Sequence, residues 1–85
     1  MSYTLRFERA AQKALQKKIH PRDAARIREA LEALADDPYP HQSLKLRDGE
    51  GYRLRVGDYR VIYDVDESEK VVTILQVGHR QGVYG

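Results

Sequence analysis

Three arginines crowd a short stretch of the chain. Arg53, Arg55 and Arg60 all fall between Tyr52 and Tyr63, with Asp58 as the single acid among them. Acids gather instead at Asp36-Asp37 and at Asp66-Glu67 and Glu69. A guanidinium fork matches two phosphate oxygens at once. It keeps its proton at any useful pH, so it can hold a phosphate and stabilise charge building there, but it is a poor general base. The proton transfers that would complete such chemistry need other groups. His79 has a suitable intrinsic pKa, and Tyr84 could serve if cationic neighbours lowered its own. Together these groups suit attack by an RNA 2′-hydroxyl on its adjacent phosphate, a reaction needing a base, an acid and a cationic clamp.

Other chemistries find less support. Cysteine is absent, which excludes disulfides and zinc–thiolate sites. His20, His41 and His79 have no metal-ligand spacing, and His20 and His41 read as loop residues without catalytic meaning. Neither a glycine-rich phosphate loop nor a nucleophile elbow is present. No cofactor and no metal is expected. Net charge is only +2, so the local basic patch, and not the overall balance, points to a polyanion.

The elements that must position these residues follow from periodicity. The 85 residues, 41% hydrophobic and 33% charged, make one globular domain spanning the whole chain. Tyr3-Thr4-Leu5-Arg6-Phe7 alternates as a strand. A modest helix runs from Glu8 to about Lys18, with Ala11, Ala14 and Leu15 on one face. His20-Pro21 breaks it, and Pro21 suits the first position of a second helix carrying Ala24, Ile27, Leu31, Leu34 and Ala35 at helical spacing. Leu44 and Leu46 suggest a short extended piece. Three strands follow, at residues 52–56, 59–65 and 71–77, the first two joined by a turn at Gly57-Asp58. The expected fold is α+β with the order β-α-α-β-β-β, a small antiparallel sheet with both N-terminal helices packed on one face.

Turn placement at Gly57-Asp58 sets Arg55 opposite Arg60, Leu54 opposite Val61 and Arg53 opposite Ile62. Opposed side chains share a face. Tyr52, Leu54, Val56, Tyr59, Val61 and Tyr63 then form a core face, and Arg53, Arg55 and Arg60 point the other way. Arg55 across from Arg60 is a like-charge pair that costs stability, which makes sense where a polyanion sits. Antiparallel topology brings the end of the last strand, with His79, Arg80 and Tyr84, toward Arg60.

Tyr52-Arg-Leu-Arg-Val-Gly-Asp-Tyr-Arg-Val-Ile-Tyr63, then Val77-Gly-His-Arg80 and Val83-Tyr84, resemble the signature of the RelE/ParE toxin superfamily. The first strand, the helical pair and Leu44-Lys-Leu46 extend the resemblance over nearly the whole chain. It implies a toxin–antitoxin system and, for RelE-type members, metal-independent cutting of messenger RNA in the ribosomal A site. By position, Arg53 and Arg55 match basic residues of the family's second strand, Arg60 its sheet arginine, Arg80 its late arginine and Tyr84 its C-terminal tyrosine. Lys45 and Arg47 join Arg53 and Arg55 as expected RNA- or ribosome-binding residues. RelE-type enzymes often carry lysine in place of Arg53 and Arg55, so here the proton transfer falls to His79 or Tyr84. Expected partners are a neutralising antitoxin protein, the ribosome and messenger RNA. Operator DNA would be bound through the antitoxin. No apolar run approaches the ~20 residues that cross a bilayer, so the expected location is the cytoplasm. The competing readings are a ParE-type inhibitor of DNA gyrase without nuclease activity, and a non-enzymatic RNA- or ribosome-binding module.

Overall fold

The computed structural model describes residues 2–47 and 51–79. Strand β1 (Thr4–Phe7) leads into helix α1 (Arg9–Lys13), which continues as a π-helical turn at Ala14–Lys18. Helix α2 (Pro21–Leu34) and strands β2 (Ser43–Lys45), β3 (Tyr52–Val56), β4 (Tyr59–Asp66) and β5 (Val71–His79) complete the order. The strands form one sheet, β1-β5-β4-β3-β2.

The α+β class and the helical cover on one face are as expected. Two details differ. The short piece around Leu44 is a true edge strand, paired antiparallel to β3. The sheet is mixed, because β1 lies parallel to β5, with Leu5 beside Val72 and Phe7 beside Ile74. Parallel pairing follows from the two intervening helices, which carry the chain across the sheet face before β5 is laid down.

The helices form where the apolar spacing placed them. The π-helical turn closes with the Ile19 N–H donating to the Ala14 carbonyl at 3.1 Å, five residues back. The wider turn brings Ile19 into the core beside Ala11, Ala14 and Leu15. Pro21 opens α2, and its N-terminus is capped by the His20 side chain, whose Nδ1 accepts from the Arg22 N–H at 3.1 Å. His20 therefore has a structural duty. Ala24, Ile27, Leu31 and Leu34 of α2 pack against Leu54, Val61, Tyr63, Val72, Ile74 and Val77 of the sheet.

Pairing of β3 with β4 follows the turn at Gly57-Asp58, with Gly57 at φ +58°. Tyr52 faces Tyr63, Arg53 faces Ile62, Leu54 faces Val61, Arg55 faces Arg60 and Val56 faces Tyr59. Between β4 and β5 the register slips. Tyr63 pairs with Ile74, but Ile62 pairs with Gln76, so Leu75 is an extra residue on β5. This β-bulge turns every later side chain of β5 to the opposite face. It serves the core, since Val72, Ile74 and Val77 are all buried. Unbroken alternation would have put Gln76 among them.

At the far end of the sheet, three separate segments meet at one carboxylate. Glu67, in the β4–β5 turn, accepts from the Tyr3 hydroxyl at 2.8 Å, from the Tyr39 hydroxyl, and from Lys70 Nζ at 3.1 Å. The Tyr39 hydrogen bond, then those from Tyr3 and Lys70, lower the Glu67 pKa from 4.5 to about 2. The folded state thus holds this carboxylate charged more strongly than the unfolded chain does. Its contribution is complete above about pH 4.5 and is lost as pH falls through about 2. Glu67→Gln is expected to flatten the pH dependence of the urea midpoint across that window. A parent and variant with parallel pH profiles would remove Glu67 from the account of acid unfolding.

Candidate nucleic-acid interface

The face away from the helices is built from alternate residues of β4 and β3, extended by β2 and β5. Its basic end has Gly78, Arg60 and Arg55 in one row across three strands. The next row is Gln76, Ile62, Arg53 and Leu44. Arg55 and Arg60 stand directly opposite, with Cβ atoms about 4.5–5.5 Å apart by strand geometry. Gly78 beside Arg60 has no side chain to crowd it. The far end of the same face turns acidic, with Asp64 opposite Thr73 and Asp66 opposite Val71.

Ile62 is buried on this face although no helix covers it. Its cross-strand neighbours are Arg53 and Gln76, residues whose aliphatic stems are long enough to lie over it. That arrangement holds Arg53 half-buried while leaving Arg55 exposed. Neither Arg53 nor Arg55 forms a salt bridge among the described residues. Two arginines with no acidic partner among the described residues, beside a third on the facing strand, form a surface suited to a chain of phosphates.

The sheet brings Arg53, Arg55 and Arg60 together and separates other expected members. His79 reaches the same end of the sheet but the opposite face. It pairs with Tyr59, and the two rings meet edge to face at 5.7 Å and 71°. The Leu75 bulge is the cause; straight counting back from Asp66 and Val71 would have put His79 on the arginine face. Tyr59 is in turn tied to α2, its hydroxyl donating to Asp23 Oδ2 at 3.0 Å. That hydrogen bond to a carboxylate holds the Tyr59 pKa above its usual value. Lys45 also faces the helical side, opposite Tyr52 and with Nζ 5.8 Å from that ring's centre. Arg47 is exposed just beyond β2, at the end of β3 away from Arg55. Arg80 and Tyr84 lie outside the described residues.

A shallow cavity of about 320 Å³ opens on the arginine face, lined by His41, Gln42, Leu44, Arg53 and Arg55. His41 therefore borders the basic cluster although the sequence offered only a loop position. The available signal was its place two residues before β2, the strand paired to the arginine-bearing β3. Among the described residues, no group of three or more acids and histidines stands together as a metal site. No helix among them is long and apolar enough to cross a membrane.

A five-stranded mixed sheet backed by two helices is the fold of the small toxins typified by RelE. The comparisons agree. A sequence model of the ParE toxin of type II toxin–antitoxin systems, parDE, matches residues 5–84. The toxin RelG of Mycobacterium tuberculosis is 35% identical over 86 residues, covering 99% of this chain and 98% of RelG. The fold matches the toxin–antitoxin complex RelBE2 from Mycobacterium tuberculosis at a TM-score of 0.82 and 34% identity, over 94% of this chain and 100% of the other. It matches the archaeal RelE–RelB complex from Pyrococcus horikoshii at 0.82 and 34%, over 98% and 100%. This chain belongs to the RelE/ParE toxins of type II toxin–antitoxin systems.

Proposed function

We propose that this toxin is a ribosome-dependent messenger RNA endoribonuclease that needs no metal, cutting in the A site by attack of a 2′-hydroxyl on the adjacent phosphate and so stopping translation in the cytoplasm. The observation that carries the reading is the shared outward face of Arg53, Arg55 and Arg60. Arg60 contacts the scissile phosphate and stabilises the charge of the phosphorane. Arg53 and Arg55 hold the flanking backbone. Arg80 joins the clamp, and Tyr84 protonates the leaving 5′ oxygen. Arg47 contacts RNA or ribosome from the rim, and Lys45 supports Tyr52 from the helical side. His79, facing the helices, steadies the end of β5 against Tyr59. The antitoxin is a RelB-like protein, as in the related complexes, and operator DNA is reached through it.

Expression without antitoxin, followed by mapping of RNA ends, tests the reading. Cuts phased with the reading frame support it. DNA damage without RNA cuts would instead favour the gyrase inhibitor, the reading suggested by the match to a ParE sequence model. Neither effect would leave a binding module.

Affinity for RNA should carry the electrostatic signature of this face. Each phosphate neutralised on a single strand contributes about −0.7 to the slope of log K against log salt. The three arginines of this face together contribute about −2 to that slope, and Arg55→Ala should reduce its magnitude by about 0.7. Fluorescence anisotropy with a labelled oligoribonucleotide reads the slope. An unchanged slope in the variant would take Arg55 out of the phosphate contacts.

A further inference from the structure

We propose that His41 is the general base of the cleavage reaction, taking the proton from the attacking 2′-hydroxyl. The assignment rests on the endoribonuclease reading above. Two observations lead to it. His79, the imidazole expected from sequence at the arginine cluster, is turned to the helical face by the bulge at Leu75 and occupied with Tyr59. His41 is the imidazole that shares a cavity with Arg53 and Arg55.

The chemistry of the cavity explains the choice. Its charged and titratable members are His41 from the turn before β2 and the two guanidiniums from β3; Gln42 and Leu44 carry no charge. Arginine keeps its proton, so among the described lining residues the imidazole of His41 is the group suited to accept one. With the flanking backbone held by Arg53 and Arg55, the ribose beside the scissile phosphate comes to the wall that His41 forms. The neutral imidazole accepts the 2′-hydroxyl proton as the O2′–P bond forms and the P–O5′ bond breaks. The leaving 5′ oxygen gains a proton from the general acid, and the products are a 2′,3′-cyclic phosphate and a 5′-hydroxyl. The exchange is atom-neutral and needs no oxidant, reductant or metal. Leu44, exposed on the same cavity, offers the accompanying base an apolar surface.

The test is single-turnover cleavage of messenger RNA on programmed ribosomes from pH 5 to 9, with the parent, His41→Ala and His41→Gln. Loss of a general base costs on the order of 10²–10⁴-fold. Both variants should fall by at least about 10²-fold and lose the ascending limb of the parent's pH–rate profile. Binding to the ribosome should change by less than threefold, on the order of the smallest effects of an exposed side chain. Added imidazole should restore part of the His41→Ala rate and none of the binding. The glutamine variant excludes a mere hydrogen-bonding role, because it keeps polar reach without a titrating group. A parent that cleaves, with variants that keep its rate and pH profile, overturns His41 as the base and leaves the endoribonuclease standing. A parent that cuts no RNA overturns both.

Discussion

Arg60→Ala is expected to lower the single-turnover cleavage rate by about 10²–10³-fold, the cost of removing one preorganised donor from a charge-developing centre. The expectation comes from position. Arg60 lies in the central strand of the basic row, between Arg55 of β3 and the side-chain-free Gly78 of β5. In the proposed reaction its guanidinium meets the negative charge that grows on the phosphorane, and that charge exceeds the charge of the resting phosphate. Ribosome and RNA affinity should therefore fall less than the rate. Arg60→Lys should recover only part, because a point charge replaces a two-pronged contact. Parallel loss of binding and rate would reassign Arg60 to uniform phosphate binding. Arg55→Ala offers an internal contrast. It removes one member of a like-charge pair, so it should weaken RNA binding while raising folding stability by about 0.2–1 kcal/mol.

Tyr63→Ala should be the most destabilising single change among the described residues, at about 3–5 kcal/mol. Tyr63 is wholly buried and is the largest such side chain. Its ring stacks on Tyr52 at 5.6 Å, and its hydroxyl donates to the Pro38 carbonyl at 2.6 Å. Against a total of about 4–13 kcal/mol for a chain of this size, that loss removes from about a quarter to all of the stability. Tyr63→Phe keeps the ring and loses the hydrogen bond, so it should cost only about 0.5–1.5 kcal/mol. Urea unfolding of both variants separates packing from the tether. An alanine variant within 1 kcal/mol of the parent, on the order of an average substitution, would mean that the core closes over the gap. The Pro38 contact also fixes the segment that carries the chain from α2 toward His41, so the phenylalanine variant should lower activity more than its small stability loss suggests.

Much of this architecture was legible in residue types. Gly57-Asp58 fixed the β3–β4 register, because a two-residue turn leaves one way to pair the flanking strands. That register carried the arginine face with it. The β4–β5 register was harder, because the pattern of β5 is not a simple alternation. Val72, Ile74 and Val77 are the buried positions, spaced two and then three apart, and that one-residue stutter is the mark of the bulge. Read as noise, it sends His79 to the wrong face. The parallel pairing of β1 with β5 had no local signal, since it depends on how two helices route the chain. His41 carries little sequence signal for a related reason: a loop residue gains meaning only when the fold sets it beside side chains from another strand.

The parallel pairing has a consequence for synthesis. Among the described strands β1 leaves the ribosome before all the others and its partner β5 after them, and β5 also lies between β1 and β4. A nascent chain lacks Val72, Ile74 and Val77, three of the sheet's core side chains, and so cannot close its core. Such long-range pairing is slow and late by its nature. The chain is thus assembled by the machine it is proposed to attack, while the arginine rows that would attack it lack their supporting strand. Completion of the last strand sets the moment at which a neutralising partner must already be at hand.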